Sequence, residues 1–104
     1  MNDEIQKITD ILIKEYQPER IILFGSYARG QASPTSDLDI LVVSHYEEDL
    51  PRHQRGKQIR QKLASITHPL DLLFYTPKEL KRFANVPQSF CATVQREGIT
   101  LYER

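Results

Sequence analysis

The chain has one cysteine, Cys91, among 104 residues. An internal disulfide is therefore excluded, and the reducing cytoplasm is the expected location. No apolar run approaches the ~18 residues that a membrane-spanning helix needs, and the polar amino-terminus does not read as a secretory signal. Net charge is missing too, because 14 Lys and Arg residues balance 14 Asp and Glu. Charge alone thus gives no reason to expect nucleic acid as a direct partner, and near-neutrality favours association over isolation. No internal repeat or low-complexity segment is visible. The remainder is 39% hydrophobic and 27% charged, an ordinary globular balance, and residues 1–104 read as one domain with one modest core.

The stretch 21–43, IILFGSYARGQASPTSDLDILVV, organises the rest. Residues 21–24 form an uncharged apolar run that stops at a glycine, which suits a buried strand better than a helix. Gly25-Ser26 turns the chain, with Ser26 expected to cap a helical turn over 27–29 that Gly30 ends. A polar loop over 31–36 leads to a second strand, 37–43. Strand side chains alternate, so Asp37 and Asp39 are expected on one face with Cα atoms roughly 6.6 Å apart. Two such carboxylates on a core strand are costly unless a cation neutralises them, and hard oxygen ligands select Mg²⁺ or Mn²⁺. The glycine-serine turn offers unpaired backbone N–H groups to phosphate. A phosphate cradle facing a two-carboxylate metal site equips a protein for phosphoryl or nucleotidyl transfer. Arg29 reads equally as a phosphate contact or an ion-pair partner for a nearby acid.

Around this stretch the chain alternates helix and strand. Residues 2–16 read as a helix capped by Asn2 or Asp3, with Ile5, Ile8, Leu12 and Tyr16 as its apolar stripe, widened by Ile11. Residues 44–52 read as a loop. Residues 54–66 read as a helix burying Ile59, Leu63 and Ile66, with Arg55, Lys57, Arg60 and Lys62 on a solvated basic face. His45, His53 and His68 show no ligand spacing and read as surface or loop histidines. A third strand, 69–75, has one charge, Asp71, in an apolar segment. Thr76-Pro77-Lys78-Glu79 is a capping box with proline at the first helical position, opening a short helix to about residue 84. A further helix over 88–97 should turn Phe90, Val94 and Cys91 inward. Gly98 ends it, before an edge strand over 99–102.

Gly25-Ser26, ten intervening residues and Asp37-x-Asp39 resemble the signature of the DNA polymerase beta-like nucleotidyltransferase superfamily. The fuller string GSYARGQASPTSDLDILV resembles its minimal nucleotidyltransferase branch. The motif runs over 25–42, and length and element order extend the resemblance over nearly the whole chain. It implies an α/β fold, a small mixed sheet flanked by helices. In that fold Asp37, Asp39 and Asp71 would gather at one end, opposite the Gly25-Ser26 turn. It implies that Asp71 completes the site as metal ligand and general base, that two Mg²⁺ ions bind, and that Gly25, Ser26 and Arg29 contact the nucleotide. The substrate would be ATP. Members of the branch commonly act as antitoxins to HEPN-domain toxins, by binding the toxin, by adenylylating a toxin tyrosine, or both. A HEPN-type toxin is therefore the implied partner. Two alternatives stay open: a binding module without turnover, and one subunit of a two-chain antibiotic nucleotidyltransferase.

Overall fold

The computed structural model describes residues 3–104. Helix α1, Asp3–Tyr16, buries Ile5, Ile8, Leu12 and Tyr16, the stripe expected of a 3.6-residue period. Asp3 and Glu4 in its first turn and Lys14 in its last suit the helix dipole. Asn2, the other expected cap, lies outside the described residues. Gln17, at φ 53°, and Pro18 then reverse the chain into β1, Arg20–Phe24.

Four strands form one mixed sheet in the order β3-β2-β1-β4. Strand β1 lies antiparallel to β2, Leu38–Val43, and to the edge strand β4, Ile99–Glu103. Strand β2 is parallel to β3, Leu70–Tyr75. A parallel pair needs a crossover, and residues 44–69 supply it, with helix α3, Lys57–Lys62. The central strands are covered on both faces, which is why they read as unbroken apolar runs. Ile21, Leu23, Leu38, Ile40, Val42, Leu72 and Phe74 pack with α1 and the α3 residue Ile59. Ile22, Leu41 and Val43 pack against Leu80 of α4, Pro77–Arg82, and Cys91 and Val94 of α5, Phe90–Glu97. No described helix is long and apolar enough to cross a membrane.

Four expectations change here. The helix expected over 54–66 is shorter, because Arg55 is extended and Gly56 takes φ +82°. A Cβ on Gly56 would lie 2.3 Å from the Phe74 ring, so the break is built into the packing. Arg55 leaves the solvated basic face. It is 6% exposed, and its guanidinium donates to both Glu79 oxygens (2.7 and 3.2 Å) and to the Phe74 and Leu50 carbonyls (3.2 and 2.9 Å). The third change is Phe90. It is not core but 38% exposed, with its ring 5.4 Å from Phe24 and 5.8 Å from Tyr75. Helix α5 starts two residues later than expected because the Ser89 hydroxyl caps it, accepting from Ala92 N–H at 3.1 Å.

Candidate active site

Strand β1 runs straight into α2, Gly25–Ala28. Gly25 is the first helical residue, at φ +72°, a conformation that a β-carbon disfavours. A second constraint is tighter. A Cβ built on Gly25 would sit 2.1 Å from Asp39 Oδ2, so glycine here lets the turn and the carboxylate lie against each other. Ser26 does not cap the helix, contrary to expectation. It lies inside it, and the N-cap position, Phe24, makes no side-chain capping bond. Gly30 N–H donates to the Tyr27 carbonyl (3.3 Å) and Gln31 N–H to the Ser26 carbonyl (2.9 Å), closing the turn as expected.

The acids come from two strands. Asp39 lies across from Phe24 in the β1–β2 ladder and beside Asp71 in the β2–β3 ladder. Parallel pairing in register puts the two carboxylates on one sheet face. Asp71 is exposed and Asp39 partly buried. Asp37 is also exposed, and it precedes β2 rather than belonging to it. The strand starts at Leu38, whose N–H donates to the Pro69 carbonyl at 2.9 Å. Burial, then the like charges of Asp71 and Asp37, push the Asp39 carboxyl above its usual range, and Arg29 opposes them. Arg29 thus acts on Asp39 through its field. Its Nε–H donates to Gln31 Oε1 at 3.1 Å. Among the described residues no three carboxylate, histidine or cysteine side chains converge closely enough to hold an ion as they stand.

The family description "Polymerase beta, Nucleotidyltransferase" matches residues 6–104. The chain belongs to that nucleotidyltransferase family. Two proteins of Methanocaldococcus jannaschii that carry the name "Putative protein adenylyltransferase" are similar to it. One is 43% identical over 53 residues, covering 47% of this chain and 53% of that protein. The other is 28% identical over 96 residues, covering 92% and 90%. The chain thus matches about half the length of the first relative and most of the second. Among solved structures, a toxin–antitoxin crystallised with AMP-PNP has the same fold at TM-score 0.69 and 24% identity, covering 99% of this chain and 75% of that one.

Three carboxylates, Asp37, Asp39 and Asp71, could hold a hard divalent cation, and the fold disfavours the charge on the one against the glycine turn. The other candidate ligands lie elsewhere. His45 pairs with Glu19 and Glu48, both at 3.2 Å, and Cys91 is buried packing whose thiol burial pushes up. One residue near the site escaped the sequence reading. His68 is not a simple loop histidine but 15% exposed, with Nε2 2.8 Å from the Ser36 carbonyl. Its only sequence signal is its place just before the strand of Asp71.

Proposed function

We propose that this chain is a metal-dependent protein adenylyltransferase. It transfers AMP from ATP to a tyrosine hydroxyl of a partner protein and acts as the antitoxin of a HEPN-type toxin. The observation that carries the reading is the Asp39–Asp71 pair on adjacent parallel strands, with Asp39 pressed against the Gly25 turn. That arrangement brings the glycine turn, where phosphate would bind, and two carboxylates together. The adenylyltransferase names of the M. jannaschii relatives support the group transferred, and the toxin–antitoxin fold neighbour with its ATP analogue supports the partner class.

Asp37, Asp39 and Asp71 would hold Mg²⁺ or Mn²⁺, which when bound neutralises phosphate and developing charge. The Gly25-Ser26 backbone and the Ser26 hydroxyl would hold the outer phosphates, with Arg29 beside them. The acceptor oxygen forms a bond to the α-phosphorus as the bond to the bridging β-phosphate oxygen breaks. Pyrophosphate leaves, and the hydroxyl proton passes to the Asp71 carboxylate. Asp71 suits that role because it is exposed on an edge strand, where a docked acceptor can reach it. A partner protein would also supply orientation that this small sheet offers little surface for.

Co-expression with a helical HEPN-type partner, followed by ATP and Mg²⁺ and mass spectrometry, tests this. A stable complex and a partner tyrosine carrying one or more added AMP groups are expected. Binding without transfer would leave the non-catalytic antitoxin. Transfer to an aminoglycoside and to no protein would favour the two-chain antibiotic enzyme.

A further inference from the structure

Residues 32–37 carry Asp37 past the glycine turn, yet the hydrogen bonds within that loop are local. Ser33 N–H donates to Ser36 Oγ at 2.9 Å and Ser36 N–H to the Ser33 carbonyl at 3.0 Å. Among the described residues, the bond that ties this loop to another element comes from His68. Its Nε2 lies 2.8 Å from the Ser36 carbonyl, and a carbonyl only accepts, so Nε2 carries a proton. The same nitrogen is 3.3 Å from Tyr27 Oη on α2, and the two rings meet edge to face at 5.8 Å. Nδ1 faces Glu4 Oε1 of α1 at 3.8 Å. The next residue, Pro69, accepts from Leu38 N–H, tying β2 to the start of β3. One sheltered ring therefore touches the helix of the phosphate turn and the loop into Asp37-x-Asp39, and sits at the entrance to the strand of Asp71.

We propose that His68 is a positioning residue for nucleotidyl transfer: its Nε2–H holds the Ser36 carbonyl and so sets Asp37 against the Gly25-Ser26 turn. This rests on the site reading above. Asp37 has the most to gain from such a tether. It lies one peptide from Ser36, outside the ladder that holds Asp39 and Asp71, and among the described residues no three ligands converge. A carboxylate that must move into place loses rate steeply when its approach is loosened, since misplacement by about 1 Å can cost ~100-fold. A glutamine amide can present N–H near the position of Nε2, whereas alanine cannot.

The test compares wild type, His68→Gln and His68→Ala in two measurements. The first is hydrogen exchange of the Ser36, Asp37 and Leu38 amides in the free protein, which needs no activity. His68→Ala should speed exchange about tenfold or more, and His68→Gln should stay near wild type. The second is AMP transfer as a function of Mg²⁺, well below each variant's Tm. His68→Ala should lower kcat about tenfold and raise the Mg²⁺ requirement, with KM for ATP within about twofold, and His68→Gln should recover most of the loss. Unchanged exchange in His68→Ala overturns the tether whatever the activity. Faster exchange with unaltered kcat and Mg²⁺ requirement shows a merely structural contact and overturns the positioning role. A wild-type protein without transfer refutes the catalytic reading and with it the positioning role, and the exchange data then separately report whether His68 holds the loop.

Discussion

The chain brings charge to its sheet in two places and treats the two oppositely. At the far end of β3, Arg55 is nearly buried but fully answered. Glu79 meets it through two oxygens, main-chain carbonyls accept from its Nε and Nη1, and Glu79 also closes the capping box of α4 through Thr76 N–H at 2.9 Å. At the near end, Asp39 and Asp71 sit side by side with like charge, and the nearby Arg29 only tempers them. A buried ion pair that is complete holds elements in place. A like-charged pair left open costs stability, and it persists where a ligand supplies the missing charge.

The sharpest way to break this contrast is to remove a charge from the open site and measure chemistry. Asp39→Asn keeps size and shape, and AMP transfer should fall by on the order of a thousandfold, several kcal/mol of lost transition-state stabilisation. Transfer within tenfold of wild type would mean that the site lies elsewhere.

Removing a charge from the closed site should instead cost the fold. Arg55→Met strands Glu79 and frees the Glu47, Leu50 and Phe74 carbonyls, so urea unfolding should show a loss of about 3 kcal/mol. Arg55→Met/Glu79→Leu should recover part of it, and a single-variant loss under ~1 kcal/mol would make the pair ornamental. The same pair has a pH signature. The Arg55 hydrogen bonds hold the Glu79 carboxyl below its ordinary range, with Thr76 N–H helping against burial. A lowered carboxylate stabilises the fold above its unfolded pKa and loses that contribution as pH falls through the folded one. Wild type should therefore lose stability in that acid range more steeply than Glu79→Gln.

Gly25→Ala should have a smaller effect on stability, about 1–2 kcal/mol for the left-handed backbone. It should have a larger one on ATP affinity by calorimetry, because the new Cβ displaces Asp39. Ser26→Ala should cost less affinity, since the backbone donor survives. If Gly25→Ala bound ATP as tightly as wild type, the turn would not be the cradle.

The smallest effect expected is on metal-free stability in Asp39→Asn, neutral to about 1 kcal/mol more stable at neutral pH. The sign follows from the raised carboxyl. Its ionised form is the one the fold disfavours, so the gain from asparagine should shrink as pH falls below the raised folded pKa and be gone below the unfolded one. A melting point well below wild type would make Asp39 structural.

Much of this architecture was legible residue by residue. The period of Ile5, Ile8, Leu12 and Tyr16, the runs over 21–24 and 37–43, and the Thr76–Glu79 capping box each signal local structure through local chemistry, and each element formed, the second strand without Asp37. Gly25, Asp37 and Asp39 stood out because a glycine turn and paired acids between apolar strands are expensive without a purpose. Asp71 stood out only as a lone charge. Its place beside Asp39 depends on which strands pair, and pairing is a long-range choice that no spacing encodes.

Local pattern failed where side chains answer to distant groups. Arg55 looked like one of four surface cations, because helical periodicity cannot see Glu79 in space, twenty-four residues along the chain. Phe90 looked like core because it is apolar, but its ring lies over Phe24 and Tyr75 at the margin of the sheet face. His68 had no motif at all, since its partners Glu4, Tyr27 and Ser36 come from three separate segments. The sequence alone determined the elements and the identity of the acid pair, because backbone propensity and hydrophobic period act over a few residues. Only the tertiary structure decided that Asp71 lies beside Asp39, that Arg55 is locked away and that His68 reaches Ser36, because hydrogen bonds and Coulomb forces act across space without regard to chain order.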